Sequence, residues 1–231
     1  MKILAIDTSA VAASAAVEED DKILCESFTN VGLQHSRTLM PMIDSMLEYT
    51  GIKLTDISFF AVSKGPGSFT GIRIGLSAVK GMAAALDIPC VGVSTLEALA
   101  YNFGEICQGI LCPVMDARCS QVYNALFESD GNSFSRLCED RAVSVEKLRE
   151  EIKKLKKSIY LVGDGAELCY NAWKGQIERL FIAPPNLRFQ RASSVAQAAK
   201  EAFQKGKATD AGALMPSYLR PPQAVRNLKN Q

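Results

Sequence analysis

Apolar positions recur with a strand period at the start of the chain and with a helix period soon after. Residues 2–6 form an apolar run that stops at Asp7, and the alternating stretches 14–17 and 22–27 predict a meander of antiparallel strands behind it. Between 38 and 49, Leu39, Met42, Ile43, Met46 and Leu47 return at helical spacing, Pro41 falls in the expected first turn, and Gly51 supplies a stop. Residues 57–62 read as a buried strand, 70–86 as a helix and 90–93 as a further strand, so a parallel crossover is expected there.

From residue 109 the pattern replays itself. Residues 109–115 are an apolar strand ending at Asp116, as residues 3–6 end at Asp7, and alternating strands follow around Tyr123 as they do around Ala15. Residues 158–167 (SIYLVGDGAE) resemble 58–67 (SFFAVSKGPG), each an apolar strand running into a glycine turn. Two echoes at a lag of about half the chain predict an internal duplication in two lobes, 1–103 and 104–231. A short helix at 97–100 and a linker at 101–108 join the lobes. A final helix spans 193–205, capped by Ser193 or Ser194, and the tail after Tyr218, with Pro221 and Pro222, is expected to be extended.

Composition narrows the class. With 48% hydrophobic residues the 231-residue chain buries a sizeable core, and 26 basic against 25 acidic residues leave no net field to draw it to nucleic acid or a membrane. Any contact with RNA is therefore local or belongs to a partner. No stretch predicts a signal peptide or a membrane span. Seven cysteines, with no C-x-x-C pair, read as reduced and mostly buried thiols of a cytosolic protein. The mixed charges at 146–157 alternate in sign, which suits a solvated helix face better than an RNA patch.

The densest local signal is residues 65–75, GPGSFTGIRIG, between a buried strand and a helix. Glycines there suit either an anion held on backbone N–H groups or a tight turn feeding a closely packed helix, and the spacing matches neither familiar phosphate loop. The sets Gly67, Gly71, Gly75 and Ser77, Gly81, Ala85 each fall four residues apart, giving small-residue stripes that admit a close neighbour from the core or from a partner. Asp7, Thr8 and Ser9 after the first strand, and Asp116 with Arg118 after its echo, suit either a metal–nucleotide complex in a cleft or the plain turns of two hairpins. His35 is the sole histidine, which excludes any metal site needing two imidazoles. Its polar surroundings predict an exposed side chain.

Taken together, the segments resemble one family. ILAIDTS at 3–9, HSRTLMPMID at 35–44, SKGPGSFTGIRIGLSAVKGMA at 63–83, IPCVGVSTLEALA at 88–100, MDARCSQVYNALFE at 115–128, LVGDGAEL at 161–168 and PSYLR at 216–220 follow the order seen in the TsaB (YeaZ) family. The resemblance implies an actin-like (ASKHA, ribonuclease H-like) duplicated α/β fold. It implies a non-catalytic subunit that pairs with TsaD and, with the ATPase TsaE, supports transfer of threonylcarbamoyl to an adenosine of transfer RNA. TsaD holds iron through two histidines four residues apart; here Leu39 stands four after His35, so the pair is missing and no metal site is expected. The same resemblance implies an interface on the two N-lobe helices, including Leu39, Met42, Ile43, Met46, Ile72, Leu76 and Val79. That interface faces TsaD, or a second copy when TsaD is absent, and transfer RNA is reached only through the complex. Any ATP or ADP retained at that interface falls to Asp7, Thr8, Ser9, Asp116, Gly163 and Gly165. The rival reading is a nucleotide-binding ATPase or phosphotransferase of the same fold.

Overall fold

The computed structural model describes residues 1–32, 34–104 and 106–220. The chain opens with β1 (Lys2–Asp7), β2 (Ala13–Glu19) and β3 (Lys22–Thr29), then α1 (His35–Thr50), β4 (Phe59–Gly65), α2 (Phe69–Leu86), β5 (Cys90–Ser94) and α3 (Thr95–Tyr101). The second half runs β6 (Gln108–Asp116), β7 (Gln121–Asn124), β8 (Phe127–Asp130), β9 (Phe134–Arg136), β10 (Arg141–Ser144), α4 (Val145–Lys153), β11 (Ile159–Val162), α5 (Ala166–Trp173), β12 (Leu180–Ile182), α6 (Pro185–Arg188) and α7 (Ala192–Gln204).

Two sheets repeat one design. The first has the order β3-β2-β1-β4-β5 and the second β10-β7-β6-β11-β12, with β8 and β9 added on the early half of β6. In each, the opening strand lies at the centre, antiparallel to the hairpin behind it and parallel to the strand after the first helix. The parallel steps β4 to β5 and β11 to β12 are crossed by α2 and α5, as right-handed crossovers require intervening chain.

Strand period decides which side chains meet which helix. In β1, Leu4 and Ile6 join Phe60 and Val62 beneath α1 and α2, whereas Ile3 and Ala5 join Phe59 and Ala61 beneath α7. Such two-sided burial explains why the strand reads as a continuous apolar run. α3 serves both halves, giving Ala98 to the first sheet and Leu96, Leu99 and Ala100 to a cluster with Leu111, Met115 and Phe127 of the second.

Several expectations shift. α1 begins at His35, so Pro41 is its seventh residue rather than part of the first turn. It sits on the exposed side, from which water reaches the carbonyl that its missing N–H leaves open. Ser193 and Ser194 lie inside α7 instead of capping it. The cap comes from across the fold: Glu26 of β3 accepts from the Ser193 amide at 3.0 Å and its hydroxyl at 2.9 Å, and pairs with Arg191. A carboxylate at a helix start neutralises both open donors and the dipole. α7 thereby returns to the first sheet. α2 is long and apolar enough to cross a membrane, yet Ile72, Leu76, Val79 and Met82 bury one face of it on the sheet. Pro221 and Pro222 lie outside the described residues.

Candidate functional site

The two hairpin turns, which suit either a metal–nucleotide complex or plain turns by sequence, come close enough for Asp7 of one and Asp116 of the other both to act on Asp164. In the first, Asp7 is fully buried at the end of β1. One carboxylate oxygen accepts from the Ser9 amide at 2.8 Å and the Ser9 hydroxyl at 2.7 Å, and the other from the Ser63 hydroxyl. Burial pushes its pKa up, and the bonds from Ser63 and Ser9 and the nearby His35 pull against that shift.

In the second turn, Asp116 at the end of β6 accepts from the Arg118 amide at 2.7 Å and pairs with its guanidinium at 3.2 Å. Arg118, Cys119 and Ser120 all have positive φ, which folds the turn back on itself. Beside it the turn between β11 and α5 carries Gly163, Asp164 and Gly165. A β-carbon on Gly163 would stand 2.2 Å from the Val114 carbonyl, so only glycine lets this turn lie against β6.

Asp164 was not singled out by the sequence, and its carboxyl is shifted upward as that of Asp7 is. Desolvation lifts its pKa to about 6; a 3.1 Å bond from the Gln190 amide opposes the lift, and the charges of Asp116 and Asp7 add to it. Asp7, Asp116 and the 163–165 turn are thus brought together, while Thr8 and Ser9 are turned to another task. Gln190, only 2% exposed, bridges the halves by accepting a 3.4 Å bond from Ser14 on its carbonyl and donating to Asp164.

That other task is packing against α2. A β-carbon on Gly67 would stand 2.3 Å from the Ser9 carbonyl, one on Gly71 2.1 Å from the Thr8 carbonyl, and one on Gly75 2.6 Å from the Thr8 hydroxyl. Ser68 donates its amide to the Ser9 carbonyl at 2.7 Å and caps α2 through its hydroxyl, which accepts from the Gly71 amide. The glycine block is therefore a seat for the first hairpin turn. Of the two small-residue stripes, Gly67, Gly71 and Gly75 meet their own chain, and Ser77, Gly81 and Ala85 face outward, with nothing within 4 Å of a β-carbon on Gly81.

The residues expected at a partner interface divide in the same way. Leu39, Ile43, Met46, Ile72, Leu76 and Val79 are buried in the core under the first sheet, and Met42 alone is partly exposed. Helical spacing marks an apolar stripe without saying whether sheet or partner covers it, and here the sheet does. The outward surface of α1 and α2 carries Ser36, Met40, Thr70, Arg73, Ser77 and Gly81 instead. His35 is also corrected: it is 3% exposed, and its Nε2 lies 2.8 Å from the Ala10 carbonyl.

A C-terminal strap completes the site. Thr209 pairs with Cys90 at the sheet edge, Leu214 packs over Gly92, and the Ser217 amide donates to the Lys64 carbonyl at 2.7 Å. Tyr218 then stacks on Phe69 at 4.8 Å and accepts from Arg73 at 2.9 Å, and Arg220 donates to the Ala117 carbonyl of the second turn at 2.8 Å. The PSYLR segment thus ties α2 to the opposite hairpin. Among the described residues, no group of three or more His, Cys, Asp or Glu side chains has the arrangement of a metal site.

Duplicated sheets with a central antiparallel hairpin, crossover helices and facing turns define an actin-like α/β protein. Comparison with known proteins agrees. The (R)-2-hydroxyglutaryl-CoA dehydratase component A of Acidaminococcus fermentans superposes with a TM-score of 0.51 at 12% identity, covering 90% of this chain and 99% of that one, a likeness of fold alone. YeaZ from Pseudomonas aeruginosa superposes with a TM-score of 0.75 at 25% identity, covering 94% and 99%. The family model described as "TsaD: tRNA N6-adenosine threonylcarbamoyltransferase" matches residues 29–228. The tRNA threonylcarbamoyladenosine biosynthesis protein TsaB of Bacillus subtilis (strain 168) is 34% identical over 225 residues, 95% of this chain and 94% of the relative. That of Escherichia coli (strain K12) is 32% identical over 224 residues, covering 95% of each. The chain belongs to the TsaB family.

Proposed function

We propose that this chain works in the cytoplasm as a non-catalytic subunit of tRNA threonylcarbamoyladenosine biosynthesis. It pairs with TsaD through the outward face of α1 and α2, joins TsaE in a ternary complex, and reaches transfer RNA through that complex. Without TsaD, the same face joins a second copy. Residues 1–103, with α7 returning to them, form the partner-binding lobe, and the second sheet with its helices, within 104–231, supplies the other.

The observation that carries the non-catalytic reading is the first hairpin turn. A phosphate at that turn would need its free N–H groups; here the Ser9 amide is already given to the Asp7 carboxylate at 2.8 Å, and the Thr8 and Ser9 carbonyls sit against Gly71 and Gly67 at distances that leave no room for a β-carbon. The only histidine in the sequence is buried against Ala10 and is not placed as a general base. The outward Ser77, Gly81 and Ala85 stripe supports docking, since small residues let a second helix approach closely.

Sedimentation of this chain with TsaD from the same organism tests the pairing, and calorimetric titration with ATP tests the rival. A stable heterodimer and no heat with ATP are expected. Tight stoichiometric ATP binding with turnover by the isolated chain would favour the phosphotransferase reading instead.

A further inference from the structure

A cavity of about 610 Å³ opens in the second lobe where the parallel strands β6, β11 and β12 begin, at the opposite end of β6 from Asp116. The β8–β9 hairpin forms one wall, and Lys156, Lys157, Ser158 and Arg179, which lead into β11 and β12, form another. No residue of α1 or α2 lines it.

Folding separates the charges that alternate along 146–157. α4 stops at Lys153, so the stretch is not one mixed helix face. On the helix, Arg149 pairs with Glu146 at 3.6 Å and Glu150 at 2.9 Å, and Arg141 pairs with Glu151 at 2.8 Å. Of the cavity's own carboxylates, Glu128 pairs with Lys157, and Asp130 accepts from the Asn132 and Ser133 amides of its turn at 2.9 and 2.8 Å. Lys156 and Arg179 are exposed, and among the described residues no carboxylate pairs with either, the neighbouring Glu178 included. Two free cations, with the exposed Ser135 and Gln108 as neutral donors beside them, suit a phosphate group.

An exposed aromatic ring adjoins the same place. The Arg179 carbonyl accepts from the Ile159 amide at 2.8 Å and continues the β11–β12 ladder, so strand period puts Arg179 and Phe181 on one face of the sheet. Phe181 is 47% exposed and stacks on Tyr160, with ring centroids 5.2 Å apart and 19° between the planes. Tyr160 reaches the cavity wall: a β-carbon on Gly109 would stand 3.2 Å from its ring. A large apolar ring held from one side and left in water is costly unless something covers it, and a flat aromatic partner fits that need.

We infer that this face of the second lobe binds RNA directly, with backbone phosphate held by Lys156 and Arg179 and an unpaired base stacked on Phe181. Cations beside an exposed ring on a sheet match the two features by which single-stranded RNA is gripped, its phosphates and its base faces. The balanced charge of the whole chain agrees with a contact that is local. The inference goes beyond the function proposed above, which leaves transfer RNA to the complex, and it uses none of the residues on the helices that face TsaD.

Fluorescence anisotropy of a labelled transfer RNA transcript, titrated at several salt concentrations with this chain alone and with its complex with TsaD from the same organism, tests it; melting curves are recorded for each variant. The double variant Lys156→Gln, Arg179→Gln is expected to weaken binding about tenfold and to lower the slope of log K against log salt by about 1.4, the share of two single-strand phosphate contacts. Phe181→Ala is expected to weaken binding about tenfold with the slope unchanged, and Phe181→Tyr, which keeps the ring, to bind as wild type does. A folded double variant with wild-type affinity and slope overturns the inference while leaving the pairing with TsaD intact. So does a folded Phe181→Ala that binds as wild type while inorganic phosphate displaces the RNA, which would make the cavity a site for small phosphorylated ligands. Failure of wild type to associate with TsaD overturns the pairing instead, and the titrations of the chain alone then decide the RNA contact: no binding by wild type overturns it.

Discussion

Gly71 and Thr8 are locked together: the Thr8 hydroxyl donates to the Gly71 carbonyl at 2.7 Å, and a β-carbon on Gly71 would stand 2.1 Å from the Thr8 carbonyl. Both contacts join the first turn of α2 to the turn after β1. The neighbour is backbone at the end of a central strand, so it has little freedom to yield. Gly71→Ala should therefore destabilise the protein by about 2 kcal/mol, even though alanine is the better helix former. Chemical denaturation reads the loss directly, and an unchanged midpoint would show that the turn adapts.

Gly81 gives the opposite expectation on the same helix. It is exposed, and nothing stands within 4 Å of a β-carbon there. Gly81→Ala should stabilise the isolated chain by roughly 0.5–1 kcal/mol. Gly81→Trp should leave the melting temperature near that of wild type and remove association with TsaD, because a large side chain holds a neighbouring helix away. Association that survives the tryptophan places the interface elsewhere.

Asp164 predicts a pH dependence. Its folded pKa of about 6 lies above the ordinary 3.8, so the folded state favours the protonated acid. The cost of ionising it is absent below the ordinary value, grows as pH rises between the two, and is fully present above about 6. Asp164→Asn keeps an acceptor for Gln190 and removes that cost. The variant should be more stable than wild type by about 1–2 kcal/mol at a pH of about 8 and no more stable at about 4. Denaturation at the two pH values checks this; a gain of equal size at both would assign the effect to something other than ionisation.

Glu26 anchors α7 to the first sheet. Glu26→Ala should cost about 2 kcal/mol, since it frees two donors at the helix start and leaves Arg191 without its carboxylate. Hydrogen exchange should show the loss first in α7. Uniform loss of protection over the chain would mean that α7 is no separate unit of stability.

Much of this organisation is legible in the residues. The apolar runs ending at Asp7 and Asp116 mark the central strands of both sheets, because strands buried on two faces leave no polar alternation. The glycines at 67, 71 and 75 announce a close approach but not its object. Tertiary packing supplies that object, the Thr8 and Ser9 carbonyls. Helical stripes name Leu39, Ile43, Met46, Ile72, Leu76 and Val79 without choosing between sheet and partner, and the sheet takes them. His35 looks exposed by its polar neighbours and is buried because Ala10, distant in sequence, offers its carbonyl. Asp164, Gln190 and the Glu26 cap carry no local signal beyond the GDG turn, since each acts through a residue far along the chain.

The central claim is that this chain supports a modification whose chemistry belongs to TsaD. The most direct measurement is formation of threonylcarbamoyladenosine on transfer RNA by TsaD and TsaE of the same organism, with this chain present, absent, or replaced by Gly81→Trp. Product should form with the wild-type chain and fall to background when it is omitted or cannot pair. Product undiminished by its omission would contradict the account.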